Sequence, residues 1–374
     1  MLLPGFICRK YYDMGNIIQL NEHIYCSEVE DAFVVWFSTS RKFMMLEEPA
    51  YYVLKQLTEN KSPDTIALEC FERYRNSIDK CLQFVSEVHQ MTEKYYNAHV
   101  TEIYKEADSF NNLNFKTDFY SGKNYAIGNS FFKINYGDPG LEEVIHPLIS
   151  HFEINKNLTH YHQFDIFRNS EKLFFKVDGD FIEIVRFDET GYLKAAVLLK
   201  LLGILYGIRK EDWMMTVHAA AVTDGNCAIV FPAMAGSGKS TLATLLHAHG
   251  FHLLTDDFLA MDSFSKRVYH LPVAVTIKEG SVDVLAPFYP GLKDIPHETA
   301  YTGKQVRYLS LDNSLKPNNG YLAKLFVFIT YLPGSPCIFD EVPKKLALQT
   351  LLQETWVNPS SATVTEFFDW FKNT

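Results

Sequence analysis

Cys227-Ala228-Ile229-Val230-Phe231 runs through Pro232 into Ala233-Met234-Ala235-Gly236-Ser237-Gly238-Lys239-Ser240, and then into a helical pattern over Thr241–His249. The apolar run reads as a buried strand. A strand, a glycine loop and a helix in that order form the context that a phosphate-binding loop requires. Glycines let successive backbone amides converge on phosphate oxygens, and the free amides at the helix start add partial positive charge. Ala235, Gly236, Ser237, Gly238, Lys239, Ser240 and Thr241 are therefore the candidate ATP-binding residues. Lys239 is expected to neutralise the β- and γ-phosphates, and the Ser240 hydroxyl to help hold Mg2+. Ala233 stands where the motif's first position usually carries glycine, a tolerated variant.

Downstream, Phe251-His252-Leu253-Leu254-Thr255 reads as a second apolar strand, ending in the carboxylates Asp256 and Asp257. Mg-nucleotide chemistry needs such a pair beside the loop. One carboxylate can hold the metal, and the other can take the proton of an attacking hydroxyl. Upstream, His218 lies in Val217-His218-Ala219-Ala220-Ala221-Val222. It could hydrogen-bond a catalytic Asp, or it could be a satisfied core histidine.

Towards the N-terminus, Ile17–Leu20, Ile24–Ser27, Ala32–Ser38 and Arg41–Leu46 read as short strands separated by polar turns. Three helical patterns follow. The first has Pro49 in its first turn and carries Val53, Leu54 and Leu57. The second begins at Ser62-Pro63, and the third keeps Ile78, Cys81, Leu82, Val85, Val88 and Met91 on one face. The stretch Asn97–Lys123 has no clear periodicity and reads as a connection. Strands return around Tyr125–Tyr136, Gln163–Arg168, Lys172–Val177 and Phe181–Phe187, with Gly137-Asp138-Pro139-Gly140 and Asp178-Gly179 as turns. A helix over Tyr192–Gly207 leads to the glycine loop.

Composition narrows the function further. A chain of 374 residues suits two or three domains, and a 47% hydrophobic content supplies cores without disulfides. A net charge of −10 with no basic run excludes a general nucleic-acid binder. The scattered cysteines (Cys8, Cys26, Cys70, Cys81, Cys227, Cys337) form neither a zinc site nor a disulfide framework, and are expected to be reduced thiols. Met1–Cys8 is too short for a signal core, and Ala195–Ile208, interrupted by Lys200, is too short to span a bilayer. A soluble, cytoplasmic protein without membrane partners is expected. His160-x-His162 and His247-x-His249 read as surface or packing histidines.

Together, His218 with its alanines, Gly236-Ser237-Gly238-Lys239-Ser240-Thr241 and Thr255-Asp256-Asp257 resemble the catalytic core of the HPr kinase/phosphorylase family, most closely over Val217–Ser281. The resemblance implies transfer of the γ-phosphoryl group of ATP to a serine hydroxyl. It also implies that Asp256 is the base, His218 its partner, and Asp257 and Ser240 the Mg2+ ligands, although the two adjacent carboxylates can trade these roles; Lys278 and Arg307 are either contacts for phosphate or substrate charge or solvated surface cations. Thr241-Leu242 replaces a usual acidic residue, and no arginine- and glycine-containing signature follows near the C-terminus. These departures point away from HPr as substrate, towards the HPr-kinase-like proteins found with peptide-modification systems.

The N-terminal strands and three helices, with Met44–Leu54 and Ile66…Phe71…Tyr74, resemble the PqqD-type winged-helix fold, whose members bind precursor peptides by strand addition. The expected fold is thus an α+β winged-helix-like domain (15–105, peptide-binding), a linker (106–124) and an α/β P-loop, HPr-kinase-like domain (125–374). The expected partner is a peptide or protein bearing a serine, and a homo-oligomer is allowed. A small-molecule hydroxyl kinase of the same fold and a nucleotide-gated peptide-binding protein are the alternatives. A leader-binding domain would show an open groove at the third strand's edge. A small-molecule kinase would show a deep, closed cleft beside Asp256.

Overall fold

The structure, a computed structural model, describes residues 18–21, 23–97, 118–169, 172–186, 189–311 and 320–374. The ends of the expected N-terminal domain (15–17 and 98–105) and linker residues 106–117 lie outside the described residues. Four sheets and interspersed helices make a mixed α/β chain that divides into two units. The first is Met1–Thr101 with Asp340–Leu352 and Pro359–Thr374; the second is Glu102–Phe339 with Gln353–Asn358.

The first unit opens with strands β1 (Ile18–Asn21), β2 (Ile24–Val29), β3 (Ala32–Phe37) and β4 (Lys42–Glu47), paired antiparallel in that order. Helices α1 (Glu48–Thr58), α2 (Pro63–Tyr74) and α3 (Ile78–Asn97) follow. Ser62 caps α2, its Oγ accepting from the Thr65 amide at 3.2 Å, as the Ser-Pro start suggested. Val35, Phe37, Met44 and Leu46 pack with Tyr51 and Leu54 of α1. Because β3 is paired with both β2 and β4, it has no free edge, and the outer strands of this sheet are β1 and β4.

The second unit begins with β5 (Ser121–Ile127) and β6 (Ser130–Tyr136), α4 (Pro139–Ile149), then β7 (His162–Asn169), β8 (Lys172–Val177) and β9 (Asp180–Arg186). These strands form one sheet in sequence order, parallel only between β6 and β7, where α4 makes the crossover. Two sequence expectations change here. Residues 121–124, assigned to the linker, are strand, held by full pairing of β5 with β6. Asp138-Pro139, read as a turn, instead starts α4: the Asp138 carboxylate accepts from the Leu141 amide at 3.1 Å, with Pro139 in the first turn.

Helix α5 (Thr190–Tyr206) is apolar nearly all round and ends at Gly207 in the left-handed region (φ 68°). The Ile208 amide then returns to the Gly203 carbonyl at 2.9 Å. A Cβ at Gly203 would lie 2.7 Å from the Ile208 carbonyl oxygen. Gly203→Ala should therefore destabilise the protein by about 1–2 kcal/mol despite its better helix propensity. Chemical denaturation checks this, and an unchanged midpoint would mean that the turn yields freely.

The largest sheet is built from β10 (Trp213–Val217), β11 (Ala219–Thr223), β12 (Cys227–Pro232), β13 (His252–Thr255), β14 (Leu259–Asp262), β15 (Arg267–Val268), β19 (Tyr321–Phe326) and β20 (Thr355–Val357). Its order is β13-β11-β12-β19-β15-β14-β10-β20. Helix α6 (Lys239–Ala248) follows β12 directly. A small sheet of β16 (Val275–Lys278), β17 (Glu298–Thr299) and β18 (Gln305–Leu309) stands apart, with the one-turn helix α7 (Val282–Leu285) after β16.

The chain's end departs from a domain running unbroken to Thr374. Helices α8 (Lys344–Gln353) and α9 (Ser361–Asn373) belong to the first unit, and only the strand between them lies in the second. Phe367 and Phe368 of α9 pack 6.0 and 5.9 Å from Phe43, on the sheet face that carries Trp36. The Glu30 carboxylate accepts from the amides of Lys344 and Lys345 at 3.0 and 3.1 Å, capping α8 from the β2–β3 turn. The five described cysteines are free thiols, and no helix among the described residues is long and apolar enough to cross a membrane.

Candidate active site

The loop between β12 and α6 takes its shape from two glycines, Gly236 and Gly238, both at φ 94°, where a side chain would be strained. Gly238 precedes α6 and offers no side-chain cap, so the first amides of the helix are left to another acceptor. Lys239, only 5% exposed, folds back over the loop and donates to the carbonyls of Ala233 and Met234. Burial lowers the pKa of its ammonium, and the charges of Glu354 and Asp257 oppose that shift. The Ser240 hydroxyl lies 3.4 Å from the Asp256 carbonyl, and Thr241 Oγ1 pairs with Ser281 Oγ at 2.7 Å.

Two broken strands place the acids opposite the histidine. β11 pairs with β13 through Ala221 and Thr255, and β10 pairs with β14 through Val217 and Leu259, in one continuous register. Between these two pairs the ladder is interrupted, over His218–Ala220 in one ribbon and Asp256–Phe258 in the other. His218 Nε2 lies 3.0 Å from Asp257 Oδ1, and Lys194 Nζ of α5 lies 2.9 Å from Asp257 Oδ2. His218 Nδ1 faces Glu354 Oε2 at 3.3 Å, and the His218 amide donates to the Glu354 carbonyl at 2.7 Å. The histidine's partner is thus Asp257, whereas the resemblance implied Asp256.

The two acids sit in opposite electrostatic settings. Asp256 is 4% exposed; its Oδ2 accepts from the Thr276 amide at 3.1 Å. Burial, reinforced by the neighbouring Asp257 charge, pushes its pKa up. Burial also works against an ionised Asp257. There, hydrogen bonding and charge from His218 and Lys194 win, holding its pKa well below the usual carboxylate range. Lys194 in turn is penalised by burial but held charged by Asp257.

These groups surround one cavity of about 240 Å3. Of the seven loop residues expected at the nucleotide, all but Ser237 line it, as do His218, Asp256, Asp257 and Lys278. Arg307 does not line it. Its guanidinium is buried and donates to the carbonyls of Lys293 and Ile295, beside His297, so it braces that segment instead of meeting a substrate. The sequence reading missed Lys194, Glu354, Thr276 and the tip of the β17–β18 hairpin, where Tyr301 and Lys304 line the cavity. Lys194 did carry a signal, as one of two lysines in a largely apolar helix. Glu354, far downstream, carried none. Among the described residues no group of three or more His, Cys, Asp or Glu is arranged as a metal site. No protein-family model matches the chain, and no curated protein is significantly similar to it.

Proposed function

We propose that the second unit is a magnesium-dependent, P-loop phosphotransferase that moves the γ-phosphoryl group of ATP to a hydroxyl, in the manner of HPr-kinase-like enzymes. The observation that carries this reading is a single cavity that holds both a glycine loop with its lysine and Asp257, whose carboxylate oxygens are held by His218 and Lys194. A site that only binds nucleotide can use one carboxylate on the metal, whereas a second, held by His218 and Lys194, is suited to act as a base. The geometry favours exchanging the roles that the resemblance implies for the two acids.

Asp257 would take the proton of the acceptor hydroxyl as its oxygen attacks the γ-phosphorus. The bond from that phosphorus to the bridging oxygen breaks, and ADP leaves. Asp256 and Ser240 offer hard oxygen donors at one end of the cavity. Mg2+ fills the rest of its shell with water and phosphate oxygens, so two protein donors suit it. A buried carboxyl whose ionisation is penalised, and which makes no ion pair among the described residues, is a suitable group to meet such a cation. When bound, the metal would neutralise charge on the β- and γ-phosphates. Lys239 would exchange its two loop carbonyls for phosphate oxygens, and Lys278 and Lys304 add positive charge to the wall.

The acceptor expected from the resemblance is a serine of a peptide or protein, with the first unit as a PqqD-like recognition module. A small-molecule hydroxyl acceptor is the second reading; β3 is interior, so strand addition to the first unit would have to use β1 or β4. The test is label transfer from γ-labelled ATP with magnesium, using the full chain. The acceptors offered are peptides encoded beside its gene and, separately, small hydroxyl compounds. Serine labelling supports the peptide reading and labelled small molecules support the second. Failure to bind Mg-ATP in calorimetry would remove both.

A further inference from the structure

Resting on that phosphotransferase reading, we propose that Glu354 is a positioning residue for the transfer step, acting through His218. The imidazole stands between two carboxylates, Asp257 on Nε2 at 3.0 Å and Glu354 on Nδ1 at 3.3 Å. A ring with a partner on one nitrogen only can flip or tilt about its χ2 bond and lose its line to Asp257. A second acceptor on the other nitrogen fixes both the orientation and the proton positions. Glu354 suits this task. Its side chain is 14% exposed, against 40% for His218. Its main chain is locked to the same residue, since its carbonyl accepts from the His218 amide at 2.7 Å and the β10–β20 ladder continues from Val217 and Thr355. Without Glu354, Asp257 would keep Lys194 on one oxygen but lose the fixed imidazole on the other.

The experiment is a double-mutant cycle on the full chain. Glu354→Gln keeps the shape and removes the charge. It should lower kcat about 10- to 100-fold, the usual cost of losing a group that orients a catalytic one, with KM for ATP changed less than about threefold. Glu354→Asp should recover part of the loss. In a His218→Ala background, Glu354→Gln should cost nothing further, because its effect passes through the ring. Additive losses, or an unchanged kcat in the single variant, would overturn the proposal. A readout independent of catalysis is the nitrogen spectrum of 15N-labelled histidine, in which Glu354→Gln should shift the Nδ1 signal of His218. An unmoved signal also overturns the proposal. A moved signal in a protein that phosphorylates no acceptor would sink the phosphotransferase reading and leave Glu354 as the group that holds His218.

Discussion

Asp257→Asn should lower phosphoryl transfer by about 10^2- to 10^4-fold, the range for loss of a positioned general base, while Mg-ATP affinity stays within about threefold. The substitution is nearly isosteric, and the amide can still accept from Lys194 or His218 through its oxygen. It cannot take the acceptor's proton. Asp256→Asn should behave differently. That carboxyl accepts from the Thr276 amide and makes no ion pair among the described residues, so its loss should weaken magnesium-dependent nucleotide binding first and transfer as a consequence. Rate measurements at saturating nucleotide, with calorimetry of Mg-ATP binding, separate the two patterns. If Asp256→Asn alone destroys transfer while nucleotide binds normally, the roles return to those that the resemblance implied.

The contrast between the two acids rests on their neighbours, which explains what could be read in advance. The glycine loop and the Asp256-Asp257 pair are local patterns. A strand, a turn and a helix in succession are dictated by residues within a dozen positions of one another, and the chain builds them where the sequence suggests. The meander of β1–β4 and the helices α1–α3 were legible for the same reason. Asp138-Pro139-Gly140 was ambiguous because turns and helix starts share those residues. The deciding signal lay just beyond, in Leu141, Val144, Ile145 and Leu148, which recur at helical spacing and are all buried.

Long-range assembly was beyond reach. That His218 would meet Asp257 and not Asp256 depends on how two ribbons distant in sequence are brought together. Glu354 reaches the site only because β20 pairs with β10. The same non-locality sends α8 and α9 back to the first unit: the apolar face of α9 with Phe367 and Phe368 looks ordinary until Phe43 is placed opposite. Arg307 shows the converse error. Its charge made it a candidate contact for phosphate, yet its donors are held by carbonyls of the segment before it.

Lys239→Ala should weaken Mg-ATP binding and transfer together, each by about 30- to 1000-fold, or roughly 2–4 kcal/mol for a lost charge-assisted contact to phosphate. The unliganded protein makes this prediction sharper than a loss of activity alone. Lys239 is buried on its own loop, where burial already works against its charge, so the fold gains little from the ammonium. Of its two carbonyl partners, that of Met234 belongs to an exposed residue, and only that of the buried Ala233 would lose a partner out of reach of solvent. The melting temperature of the free variant should therefore match that of the parent to within the equivalent of about 1 kcal/mol. The parent should gain thermal stability on adding Mg-ATP through ligand linkage, and the variant should lose most of that gain. A variant that melts early without ligand would make Lys239 a structural residue of the loop. A variant that keeps the full nucleotide shift would remove the loop from the phosphate-binding role, and the phosphotransferase reading with it.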